Sequence, residues 1–152
     1  MLFLIDSNVL ISSYDVTEQQ HKLSYLLLQR AMTGQVKGAL AHQNLLEYVA
    51  VVTDSRRVEH PLSLREAFLN IDIYTASLTL IYPKITTVGT LQALSKAKSA
   101  PRMKIFDLYL AATALDNGIT QICTWNIADF MGIPKIEPVS PEELLARVSD
   151  GG

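Results

Sequence analysis

Four acidic residues fall where a folded chain can most easily build chemistry. Asp6 follows LFLI directly in the stretch LFLIDSN, with no turn residue between it and four apolar residues. Glu47 lies roughly one helical turn after VKGALA, and Asp107 follows Ile105 and Phe106 at the start of a helical stretch. Asp129 sits in the segment NIADF, just after ITQICTW. Carboxylates gathered within a few ångströms repel one another, and some protonate unless a cation shares the site. An all-oxygen set suits a hard divalent ion, Mg²⁺ or Mn²⁺, rather than zinc. Such a site activates water and stabilises a phosphoryl transition state. Each acid also has a plainer explanation. Asp6 or Ser7 could cap a helix, and the helix dipole favours Asp107. Glu47 could face solvent, and Asp129 could be a turn residue. Four separate accidents are less economical than one shared site.

Those acids need elements to hold them, and the pattern alternates short apolar runs with helical stretches. Strands are expected at LFLI (2–5), VKGALA (36–41), SLTLIYP (77–83), ITQICTW (119–125) and IPKIEP (133–138). Helices are expected from SNVLISSY, from Thr17 as N-cap to Gly34, through HQNLLEYVAVVTDS and from Pro61. Further helices are expected through Leu91 and Leu94, from Met103 to Asn117, and over about 141–148. This alternation predicts an α/β sandwich around a central, mostly parallel sheet of four to five strands flanked by helices. Ligands of such sheets bind beyond the C-terminal strand ends, where the four acids fall.

The bulk numbers narrow the function classes. With 152 residues, 49 % of them hydrophobic and 18 % charged, the chain reads as one folded domain over 1–152. A net charge of −2 leaves any nucleic-acid surface to be local. The single cysteine, Cys123, excludes an internal disulfide and a multi-cysteine zinc site. It lies in an apolar run and reads as a buried thiol. No apolar run is long enough to cross a membrane, and no signal peptide opens the chain, so a cytoplasmic location is expected. His21, His42 and His60 show no ligand spacing. Phosphate-loop, dinucleotide, GxSxG and HExxH motifs are absent from the sequence. A receiver-type phosphoacceptor site is set aside as well, since SLTLIYPKI offers no aspartate.

The order LIDSNVLI, NLLEY, FDLYLAATALDNG and ICTWNIADF resembles PIN-domain ribonucleases, and among them the VapC-like toxins of prokaryotic toxin–antitoxin pairs. The resemblance runs from Leu2 to about Pro138. It implies a PIN-like sandwich with an endoribonuclease site using one or two Mg²⁺ or Mn²⁺ ions. By position, Asp6, Glu47, Asp107 and Asp129 form its acidic quartet, with Asp6 and Asp107 binding metal most directly. Glu47 and Asp129 would hold waters or a second ion, and Ser7, Asn8 and Thr124 would support them. Asn126 stands where many PIN domains carry aspartate. It retains a carbonyl oxygen that can position a water or Asp129. The resemblance also implies a homodimer and a VapB-like antitoxin partner.

The residues themselves lend RNA some support. The stretch between Asp72 and Asp107 carries no acid, while Lys96, Lys98, Arg102 and Lys104 lead into the helix of Asp107. Such a segment can grip phosphates flanking the scissile one, and a solvated basic loop explains it equally. Arg56 and Arg57 extend the candidates, and Trp125 could border the pocket or pack in the core. Two rival readings remain: a PIN nuclease of RNA processing or decay without an antitoxin, and a PIN-like binding module with weakened catalysis.

Overall fold

The computed structural model describes residues 1–98 and 100–151, the side chain of Arg102 excepted. The opening apolar run forms β1 (Leu2–Ile5), and the chain turns at once into α1 (Ser7–Tyr14). α2 (His21–Met32) leads to β2 (Lys37–Ala41), which passes without a loop into α3 (His42–Val52). α4 (Leu64–Ser77) precedes β3 (Thr79–Ile81). α5 (Thr87–Leu94), a 3-10 turn at Ala100–Arg102 and α6 (Ile105–Asp116) then lead to β4 (Gln121–Cys123). The short α7 (Ile127–Phe130), β5 (Glu137–Val139) and α8 (Pro141–Asp150) follow.

The sheet has five strands in the order β3-β2-β1-β4-β5, and every pairing is parallel. β1 is central, with Leu4 opposite both Ala39 of β2 and Ile122 of β4. The chain first builds outward from β1 through β2 and β3, then crosses to the other side for β4 and β5. This reversal opens a crevice beyond the C-terminal end of β1, the usual ligand position in parallel sheets. Asp6 stands there, its amide donating to the Cys123 carbonyl at 2.9 Å and carrying the β1–β4 pairing one residue further.

Both faces of the sheet are covered, which is why β1 reads as an unbroken apolar run rather than an alternating one. Phe3 and Ile5 enter a core with Val9 and Leu10 of α1, Leu27 and Ala31 of α2, Tyr48 of α3 and Leu144 of α8. Leu4, Ala39 and Ile122 face the opposite core, with Leu94 of α5 and Leu108, Ala111 and Ala112 of α6. Gly38 lets α2 lie close to β2. A Cβ there would stand 2.8 Å from Ile5 Cδ1 and 3.3 Å from Ala31 Cβ.

Several element starts differ from the sequence-based expectation. Ser7 is the first residue of α1 and Asp6 is its cap, accepting from the Ser7 amide. Thr17 does not cap α2, because its amide and hydroxyl both donate to Asp15 Oδ1, at 3.0 and 2.7 Å. Pro61 does not open α4; Ser63 caps it, in a reciprocal capping box with Glu66. The last strand starts at Glu137 rather than within IPK, since Lys135 adopts a left-handed φ of 66°. Thr124 and Trp125 leave β4 after Cys123, and α8 continues to Asp150.

Candidate active site

Asp6 is the most constrained acid. Only 7 % of it is exposed. Its Oδ1 accepts from the Ser7 amide at 2.8 Å, and its Oδ2 accepts from Thr124 Oγ1 at 2.9 Å and Asn8 Nδ2 at 3.2 Å. Thr124 has no choice of partner for its proton. Asn8 Nδ2 and the Asn126 amide both donate to Thr124 Oγ1, each at 3.0 Å, so the hydroxyl hydrogen is left for Asp6. Burial pushes the Asp6 carboxyl up to about 6. The bonds from Thr124 and Ser7 oppose that rise, while Glu47 and Asp107 add to it.

The other acids arrive from separate elements. Glu47 projects from α3 and is fixed at both oxygens: Ser7 Oγ donates to Oε2 at 2.5 Å, and Gln43 Nε2 donates to Oε1 at 2.9 Å. The same Gln43 Nε2 donates to the Phe106 carbonyl at 3.0 Å, tying α3 to the start of α6. Asp107 lies in the first turn of α6. Burial raises its carboxyl, the neighbouring Asp129 and Glu47 raise it further, and Lys104 works against them. Asp129 rides on α7, whose turn closes from its amide to the Asn126 carbonyl at 3.0 Å. Asp6, Glu47, Asp107 and Asp129 line one cleft of about 370 Å³, together with Ser7, Asn8, Asn126 and Lys104.

A hydrogen-bonded chain behind the cleft holds the loop after β4. The Trp125 amide donates to Asn8 Oδ1 at 3.1 Å, and Trp125 Nε1 donates to Ser24 Oγ at 2.8 Å. Ser24 Oγ lies 2.6 Å from Ser12 Oγ, which also donates to the Asn8 carbonyl at 2.8 Å. Ser24 and Gln43 were not among the residues read from the sequence. Only the four-residue step from Gln43 to Glu47 on one helix hinted at either.

The basic run divides. Lys104 caps α6 and lines the cleft. Lys96 and Lys98 sit exposed on the turn after α5 and do not line it. The side chain of Arg102 lies outside the described residues. Cys123 is fully buried, as its sequence context suggests, and burial raises its thiol well above the usual range.

The all-oxygen set fits a hard divalent ion. A buried carboxylate that resists ionisation beside two further acids is an electrostatic debt that a cation removes. Among the described residues, no three His, Cys, Asp or Glu side chains are drawn together as a ready cage.

No protein-family model and no curated protein matches the sequence. Solved structures do match the fold. A chain of the VapBC2 complex from Rickettsia felis, bound to a promoter DNA fragment, superposes with a TM-score of 0.68 at 17 % identity. The match covers 92 % of this chain and 98 % of that one. VapBC-1 from nontypeable Haemophilus influenzae gives 0.67 at 14 % identity, covering 93 % and 99 %. The Mycobacterium tuberculosis toxin VapC20, described as sarcin–ricin loop cleaving, gives 0.61 at 13 % identity, covering 91 % and 100 %. At such identities the likeness is one of fold, and the chain has the PIN-like α/β fold of the VapC toxins.

Proposed function

We propose that this protein is a metal-dependent endoribonuclease and the toxin of a VapBC-type pair. The observation that carries the proposal is the buried Asp6 carboxylate, oriented by three donors and grouped with Glu47, Asp107 and Asp129 in one cleft. Asp6 and Asp107 would hold Mg²⁺ or Mn²⁺ directly, with Glu47 and Asp129 around it. When bound, such an ion offsets charge developing on a phosphate and acidifies coordinated water.

The chain's own residues set the geometry. Thr124 and Asn8 hold Asp6 with its carboxylate plane fixed, and Ser7 and Gln43 do the same for Glu47. Each Glu47 oxygen keeps a free lone pair with which to orient a water or accept its proton. Asn126 turns its backbone to Thr124 and Asp129, leaving its amide side chain on the cleft wall. Lys104 supplies positive charge for a phosphate at the mouth.

Partners follow the same reading. Complexes of the matched fold include VapBC pairs, which supports an antitoxin of the VapB kind. A second copy is the occupant we assign to the apolar face beside the site. There Leu46 and Phe106, both exposed, line a groove of about 430 Å³ with Pro83 and Tyr109. Among the described residues no helix is long and apolar enough to cross a membrane, and we place the protein in the cytoplasm, with its RNA.

The test is cleavage of structured RNA in Mg²⁺ by wild-type, Asp6→Asn and Asp107→Asn proteins. Both variants are expected to lose at least about a hundredfold in rate, with far-UV circular dichroism unchanged, as expected for groups that stabilise developing charge. Asn can cap a helix as Asp does, but its NH2 would face either the Ser7 amide or the Thr124 hydroxyl, so Asp107→Asn serves as the second, less disruptive variant. Two variants that cut as well as wild type, with contaminating nuclease excluded, would end the assignment.

A further inference from the structure

The acidic cleft opens into a second one. A cleft of about 340 Å³ adjoins it, and Asn8, Ile11, Val51, Arg57 and Asn126 line both. Among the described residues, Arg57 is the only cation on that shared wall. Its neighbour Arg56 is already engaged, donating from Nε and Nη2 to the two Asp54 oxygens at 3.1 Å each. Among the described residues, Arg57 has no ion pair or side-chain hydrogen bond of its own; only its backbone amide is tied, to the Asp54 carbonyl at 2.9 Å. Its planar fork of donors is therefore free, and that fork matches a phosphate.

Beyond Arg57 the chemistry changes. The second cleft is lined by Asp15, Glu18, Gln20 and Trp125, with no further cation among the described residues. A phosphate is disfavoured among those carboxylates. A nucleobase is suited to them, because carboxylate and amide oxygens accept from exocyclic amino and ring N–H groups. The indole of Trp125 is held to Ser24 and adds a fixed aromatic wall. We propose that the second cleft seats the nucleotide next to the scissile bond, and that Arg57 grips the phosphate joining the two clefts. This rests on the nuclease reading, and it makes Arg57 a substrate-positioning residue rather than a catalytic one.

The experiment uses Asp107→Asn protein, so that RNA is held and not cut. The probe is one labelled single-stranded RNA of roughly 12 nucleotides, of a sequence that wild type cleaves. Adding Arg57→Ala is expected to weaken binding about tenfold by anisotropy and to lower the salt slope by about 1. Arg56→Ala is expected to change affinity by less than about twofold, since its guanidinium is already paired with half-buried Asp54. An abasic nucleotide beside the cut is expected to weaken binding about tenfold, more than one placed elsewhere. If Arg57→Ala matches its parent in affinity and slope while wild type still cuts, the Arg57 assignment fails and the nuclease reading stands. A uniform abasic response overturns the role of the second cleft. Wild-type protein that neither binds nor cuts RNA overturns both.

Discussion

Asp6 carries the sharpest prediction because its burial and its charge are opposed. In metal-free protein the folded state keeps a proton on Asp6 up to about pH 6, whereas the unfolded chain loses it near the ordinary 3.8. Between those values the folded state binds more protons, so stability falls as pH rises. The loss is about 3 kcal/mol in all, complete near pH 6 and flat above it. Asp107 is raised too and adds in the same direction. Urea unfolding in EDTA from pH 4 to 7 should show this slope in wild type and a shallower one in Asp6→Asn. Equal slopes would show that Asp6 ionises freely. Mg²⁺ should then stabilise wild type more at pH 7.5 than at pH 5, because below about pH 6 it must displace the Asp6 proton. A thermal shift independent of pH would contradict a site built on this carboxylate. The sequence made Asp6 visible as an acid with no turn before it. It did not show that Asp6 both caps α1 and takes the Thr124 proton, since those bonds depend on a loop that arrives much later in the chain.

At the scale of elements, close approach between β2 and α2 sets how deeply Ile5 sits, and Ile5 immediately precedes Asp6. Gly38→Ala gains about 0.5–1 kcal/mol from a stiffer strand residue. Against that, the new Cβ meets Ile5 Cδ1 and Ala31 Cβ inside ordinary contact distance, and overpacking of this kind costs about 1–3 kcal/mol. The Ile5 tip can turn aside, but the Ala31 Cβ cannot without moving α2. A net loss of roughly 1–2 kcal/mol is expected in chemical denaturation, and a neutral or stabilising result would show that α2 yields freely. Elements with strong period and clear stops, such as β1, α3 and α6 before Gly118, were legible from sequence. Starts were less so. Ser63 and Glu66 spell a capping signature, which Pro61 masked. Thr17 offered a cap that Asp15 takes for its own turn. The ties that stiffen the site, Gln43 to Phe106 and Trp125 to Ser24, span 63 and 101 positions and leave no local trace.

For the whole molecule, the exposed apolar face around Leu46 and Phe106 sits directly beside the acids. Leu46 and Phe106 are each 69 % exposed, and hiding such side chains from water is worth about 1.5–3 kcal/mol apiece. Light scattering at micromolar concentration should therefore give twice the chain mass for wild type and a single mass for Leu46→Glu. A monomeric wild type would leave that face to another partner. The α/β class, the parallel sheet and the placing of the acids at its C-terminal edge were legible because strand ends are written in local patterns. The face that would meet a second copy was legible only as an excess of apolar residues, since which of them stay exposed is decided by packing.

The central place of β1 has a consequence for synthesis. Asp6 leaves the ribosome well before the hydroxyl that orients it, which belongs to Thr124, 118 positions later. β1 can meet β4 only once both have emerged, and Asp107 and Asp129 come from that same late portion. A nascent chain therefore carries no assembled cleft until Thr124 and Asp129 have emerged. If the cleft is the nuclease site proposed above, a chain still lacking α7 has no means to cut RNA, and the order of the strands sets when cutting can begin.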